Sequence, residues 1–314
     1  MKISGFFINL QTDYGFKRMF GNIKNKGVLI RFLNAIFGDE IHVTDVEYHD
    51  KELLPSEADG KRIIYDIYCT SEIPDKECNL FAGAIADDER KTHHFILEMQ
   101  NLYDPRFEDR MAYYTSRMVA GQGKAGWDYT LEHVITVVVT DFDLNRNAPR
   151  LVRNIGFADT ETRELLTDKI RMVFLSLKCI EKKRWEECGT ELERILYIIK
   201  NMDKMSKTSK PYMEGDYEEM FEAATMGNMA SEELVAYSDS LQKLRDTQAG
   251  IEYASRQAYD DGEQKGRKEG LKEGLKEGLL KAARNLLAYG ASTEMVVATT
   301  GLTPAQLDKL REEL

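Results

Sequence analysis

Arg62-Ile63-Ile64-Tyr65-Asp66-Ile67-Tyr68-Cys69 and His93-His94-Phe95-Ile96-Leu97-Glu98-Met99-Gln100 are the segments whose reading decides the fold. Both are rich in β-branched and aromatic residues, which predicts strands. Side chains alternate faces along a strand. Phe95, Leu97 and Met99 therefore share the core face, and Ile96, Glu98 and Gln100 share the other. If the two strands are neighbours, Asp66 and Glu98 converge on one side of the sheet, with Gln100 a step further along. Two carboxylates held by a rigid sheet make a site for a hard divalent cation such as Mg2+, which takes oxygen ligands and keeps several waters. The structural alternatives are an Asp at a bulge or edge, and a Glu-x-Gln that only marks where a strand meets solvent.

Outward from this pair, Thr12-Asp13-Tyr14-Gly15-Phe16-Lys17-Arg18-Met19-Phe20 predicts a short helix capped by Thr12 or Asp13. Val28 to Phe37 predicts a more apolar helix stopped by Gly38. Ile41 to Tyr48 reads as a strand, followed by a polar loop through Gly60. Ser71 to Thr92 reads as a long connection, with Asp87-Asp88-Glu89 near its end, decorating one end of the sheet. Arg106 to Val119 is a helix broken by Gly121-Gln122-Gly123-Lys124-Ala125-Gly126. His133 to Thr140 is a continuous β-branched run suited to the centre of a sheet covered on both faces. Arg171 to Leu177 is a further strand, and from Trp185 onward the chain turns helical. The pattern is an α/β core with a helical C-terminal part.

At 314 residues, a two-part architecture is expected. Cys69, Cys78, Cys179 and Cys188 form no C-x-x-C, so they read as reduced thiols in a cytosolic protein rather than a zinc site or disulfide framework. The apolar run at Met1 to Phe7 is too short for a signal peptide, and no segment is long enough to span a membrane. A formal net charge of −11 argues against a protein that coats nucleic acid through its global field. It leaves room for a nuclease with a local basic surface.

Gly262, Gly266, Gly270, Gly274 and Gly278 recur every fourth residue. Each glycine costs a helix about 1 kcal/mol relative to alanine, but Glu269 and Glu273 meet Lys or Arg one turn away. Small residues at this spacing let two backbones approach closely. A solvated, self-associating helix that makes a homo-oligomer is the preferred reading, and a charged linker is the competing one. Leu279 to Leu314 reads as a helical hairpin whose last helix starts at Thr303-Pro304.

Taken in order, these residues resemble the PD-(D/E)XK nuclease superfamily, and within it the Rpn family of recombination-promoting nucleases, often labelled putative transposases. Asp13-Tyr14-Gly15-Phe16-Lys17-Arg18-Met19-Phe20 is similar to that family's opening helix, and Phe32-Leu33-Asn34-Ala35-Ile36 to its second. Asp66 and Glu98-Met99-Gln100 fall where its Asp and Glu-x-Gln strand are expected. Arg110-Met111-Ala112-Tyr113-Tyr114 resembles the helix that follows, and the glycine-repeat tail with Gly301-Leu302-Thr303 a common ending. The resemblance implies a restriction-endonuclease-like mixed central sheet flanked by helices. It divides the chain into a nuclease core over 1–180, a helical region over 181–258, and the glycine-repeat helix with its hairpin over 259–314.

The chemistry implied is metal-assisted hydrolysis of DNA phosphodiester bonds, serving recombination or defence. Asp66 and Glu98 bind Mg2+ or another divalent cation, the Met99 carbonyl completes the site, and Gln100 positions a water. Asp13 is a third acid or a helix cap, while Lys17, Arg110 and Tyr113 are phosphate-contacting or supporting candidates. Gln100 stands where the superfamily has Lys and brings neither positive charge nor a proton acceptor, so Lys17 or Arg110 must balance the phosphate. His93 and His94 lie on opposite faces and do not serve one metal. The rival is a nuclease fold kept as a DNA-binding or assembly module. A metabolic α/β enzyme would need a phosphate-cradling glycine loop between strand and helix, but Gly121, Gly123 and Gly126 follow a helix instead.

Overall fold

The long β-branched run becomes an inner strand of a six-stranded mixed sheet. The computed structural model describes residues 5–50, 52–53, 63–74, 90–144 and 147–312. In spatial order the sheet comprises β1 (Glu47–Tyr48), β4 (Ile67–Pro74), β5 (Arg90–Gln100), β6 (His133–Thr140), β8 (Leu165–Ser176) and β7 (Val152–Ala158). β4 and β5 pair antiparallel, β5, β6 and β8 run parallel, and β7 returns antiparallel along β8. β2 (Glu52–Leu53) and β3 (Ile63–Ile64) pair only with each other.

Both faces of β6 are covered, as its lack of polar alternation requires. Ile135, Val137 and Val139 join a core built from α1 (Asp13–Phe20), α2 (Lys26–Phe37) and the helices after the sheet. On the other face, Val138 packs with Phe107 and Met111 of α3 (Phe107–Ala120). Thr136, the polar residue within the run, shares a 2.8 Å hydrogen bond with Thr115 of α3, so its burial leaves no hydroxyl unsatisfied. Thr12 caps α1 by accepting from the Gly15 N–H, and α2 stops where Gly38 takes φ 57°.

Several expectations need correction. The segment around Asp66 is not one strand: it breaks at Tyr65-Asp66, leaving β3 in the small sheet and β4 in the large one. Between Ile41 and Tyr48 only the last two residues are strand. The Asn34 side chain takes both the N–H and the C=O of Val43, satisfying there the groups a ladder would have used. The connection expected over Ser71 to Thr92 is shorter, because β4 and β5 continue pairing to Pro74 and Arg90. The rest of that connection, including Asp87-Asp88-Glu89, and most of the polar loop before Gly60 lie outside the described residues. β7 was not read from the sequence, and β8 begins at Leu165, well before Arg171. Regular helix after the sheet starts at Glu191 rather than Trp185.

The chain divides into two compact units, Met1–Arg245 and Asp246–Leu314. The first holds the sheet, α1 to α3, α4 (Glu191–Asn201), α5 (Lys210–Met213), α6 (Glu218–Ala224) and the start of α7 (Ser231–Ala288). That start is fastened to α1 and to Asn9 just before it. Arg18 pairs with Glu233, Ser240 Oγ accepts from the Tyr14 N–H, and the Tyr237 hydroxyl accepts from the Asn9 N–H. The second unit holds the rest of α7, α8 (Thr293–Thr300) and α9 (Pro304–Glu312). Among the described residues, no helix is long and apolar enough to cross a membrane.

Candidate active site

The break before β4 builds the site. With the ladder stopped at Ile67, the backbone N–H of Asp66 donates to Glu98 Oε1 at 3.2 Å, and the Met99 N–H donates to Asp66 Oδ2 at 3.0 Å. Each carboxylate thus replaces a missing rung, and the two acids fix one another across the strand gap. The N–H and C=O of a strand residue leave toward the same neighbour, so the Met99 carbonyl faces the same flank of β5 as Asp66.

Glu98 is only 4% exposed. Burial pushes its carboxyl well above the usual carboxylate range, and the nearby charge of Asp66 pushes it further. Burial also raises Asp66, against the pull of the Met99 N–H and of Lys17. Two buried acids that disfavour each other's ionisation are a set a hard cation would relieve. Lys17 of α1 supplies part of that charge: its Nζ lies 3.2 Å from Asp66 Oδ1 and also bonds Asp13. Burial works against the ammonium, but the two carboxylates outweigh it and hold its pKa up.

Gln100 extends toward α3, where its Oε1 accepts from Arg110 Nη2 at 2.6 Å. With the oxygen engaged, the amide presents Nε2 as a donor. Asp13 is mostly exposed and tied to Lys17, while Thr12 performs the capping. Tyr113 is 43% exposed, and no described contact links it to the acids. Its neighbour Tyr114 lies nearer: the Tyr65 hydroxyl donates to its carbonyl, the two rings meet edge to face at 5.7 Å, and its phenol feels the Glu98 charge. Helical spacing held this clue, since Arg110 and Tyr114 are one turn apart. The sequence reading also missed His49, which lines a cavity of about 620 Å³ beside Asp66 together with Lys17, Arg18, Tyr48 and Tyr68.

His93 and His94 stand apart from this arrangement. His93 stacks on His133 with ring centroids 4.2 Å apart, and His94 bonds Tyr68 and Glu132. Among the described residues, no three His, Cys, Asp or Glu side chains are grouped to hold a metal. The two acids and the Met99 carbonyl are the candidate oxygen donors for a hard cation.

The family model described as PD-(D/E)XK nuclease family transposase matches residues 10–76 and 85–254, spanning Asp13, Lys17, Asp66, Glu98, Gln100 and Arg110. No curated protein and no solved structure matches the chain.

Proposed function

The chain belongs to the PD-(D/E)XK nuclease family transposases, and on that premise we propose that it is a cytoplasmic, divalent-cation-dependent endonuclease acting on DNA. Its role is in recombination or defence. The observation that carries this reading is the reciprocal lock of Asp66 and Glu98, each accepting a backbone N–H beside the other. Held by these acids and the Met99 carbonyl, Mg2+ would offset negative charge at the scissile phosphate and make a water more acidic. Gln100, fixed by Arg110, directs the attacking water through its Nε2. Lys17 supplies beside Asp66 the positive charge that Gln100 lacks. Asp13 keeps that ammonium charged and in place.

The test is cleavage of supercoiled plasmid by the purified chain with Mg2+. Wild type should nick it, and Asp66→Ala and Glu98→Ala should not while remaining folded. Equal cleavage by all three would transfer the activity to a contaminant and remove the site. Folded wild type that binds DNA but never cleaves it would leave only a DNA-binding module.

The glycine-repeat part of α7 is proposed to self-associate. An added Cβ at any of its five glycines would meet nothing within 4 Å, and Leu271 and Leu275 are exposed beside them. Truncation at Gln257 should halve the mass in light scattering, and an unchanged mass would discard the interface.

A further inference from the structure

We infer that α8 and α9 form a helix-turn-helix that binds duplex DNA sequence-specifically, with α9 entering the major groove. This goes beyond the nuclease reading and does not depend on it.

The two helices are joined by Gly301-Leu302-Thr303 alone. A reversal this tight needs a residue at home in the left-handed region, and Gly301 sits at φ 69° with its N–H bonded to the Val297 carbonyl. Leu302 turns inward from the connection itself. Burial recurs at Val296, Thr300, Leu302, Leu307 and Leu310, closing on Ala283 from the end of α7 as a third helix. The Thr300 hydroxyl donates to the Val296 carbonyl at 2.7 Å, so it enters this core satisfied. Thr303 and Gln306 cap α9 reciprocally: the Thr303 N–H donates to Gln306 Oε1, and the Gln306 N–H to Thr303 Oγ1.

A glycine-containing turn of three residues, with its middle residue in the core and a bracing helix behind, is how a groove-reading helix is held at fixed pitch. A plain helical hairpin needs no buried residue in its turn. The start of α9 is capped on both sides, while Ala305, Asp308 and Lys309 remain exposed on it. Charge does not oppose it. The chain carries −11 overall, yet residues 280–314 hold four Lys or Arg against four Asp or Glu, so this segment carries none of the net negative charge that repels phosphates.

The test uses the full chain in a chelator, to suppress any metal-dependent cleavage, and selects from a pool of random-sequence duplexes. A recurring motif should emerge. Ala305→Glu and Lys309→Glu, each with unchanged melting, should weaken binding to the selected duplex by about tenfold or more. Binding to a scrambled duplex should change much less. Failure to enrich any sequence, or wild-type affinity of both variants for the selected duplex, would overturn the proposal. Neither result bears on cleavage, which Asp66→Ala reports separately.

Discussion

The two ends of β5 bury titratable groups to the same immediate effect and to different purposes. Near its start, burial drives His93 down to about 4, so the imidazole stays neutral against His133. Near its end, burial drives Glu98 up, so its carboxyl also resists charge. A perturbed pKa therefore does not separate a functional group from a structural one. What differs is the company. His93 is backed by another ring and by the Lys91 carbonyl on its own strand. Glu98 is held beside a second acid, with Lys17 and Arg110 nearby. A cavity adjoins His93 as well as Asp66, so the paired acids, not open space, single out the candidate site.

The largest effect that tests this contrast falls on the acids. Asp66→Ala or Glu98→Ala should lower plasmid cleavage at least about a thousandfold, and calorimetry should find the melting temperature unchanged or higher at neutral pH. The sign follows from the raised pKa. The contribution of Glu98 to stability is complete below its unfolded value and is lost as pH rises through the folded one.

His93 should behave in the opposite sense. Between 6.5, the free histidine value, and about 4, the unfolded chain takes up a proton that the native ring refuses. Stability should therefore fall by about 3 kcal/mol as pH drops through that window. His93→Phe, which keeps a stacked ring, should flatten the difference in urea titrations without touching cleavage. A pH dependence equal to that of wild type would show that the buried imidazole is not the cause.

Val138→Ala in β6 removes buried volume beside Glu98, its register partner, without removing a charge, and should cost about 2 kcal/mol while the folded fraction keeps its cleavage rate. The smallest change sharpens the site itself. Arg110→Met frees the Gln100 amide and should reduce kcat roughly tenfold at constant stability. An unaltered kcat would mean that the orientation of Gln100 does not matter.

The sequence made β6 legible because nothing polar interrupts it except Thr136, whose partner Thr115 lies one helix away. It also placed Glu98 and Gln100 by alternation, and matched them in order with Asp66 and the opening helix. It did not reveal that Asp66 stands outside a strand. A backbone N–H satisfied by a carboxylate and one satisfied by a ladder are written with the same letters. The truncated strand before Tyr48 failed for the same reason, since Asn34 reaches it only in three dimensions. β7 escaped because it is an exposed edge with register shifts near Gly156 and Phe157, where apolar alternation has little to face. Of the two adjacent tyrosines, the sequence pointed to Tyr113, whereas the described contacts bring Tyr114 to Tyr65 and near the Glu98 charge.

The fastening of α1 by Glu233, Tyr237 and Ser240 has a consequence for biosynthesis. The helix that carries Lys17 is among the first made, yet its seat depends on side chains made more than two hundred residues later. A nascent chain on the ribosome carries Asp66 and Glu98 long before that helix can dock. The Lys17–Asp66 contact therefore waits until the last part of the Met1–Arg245 unit has been translated.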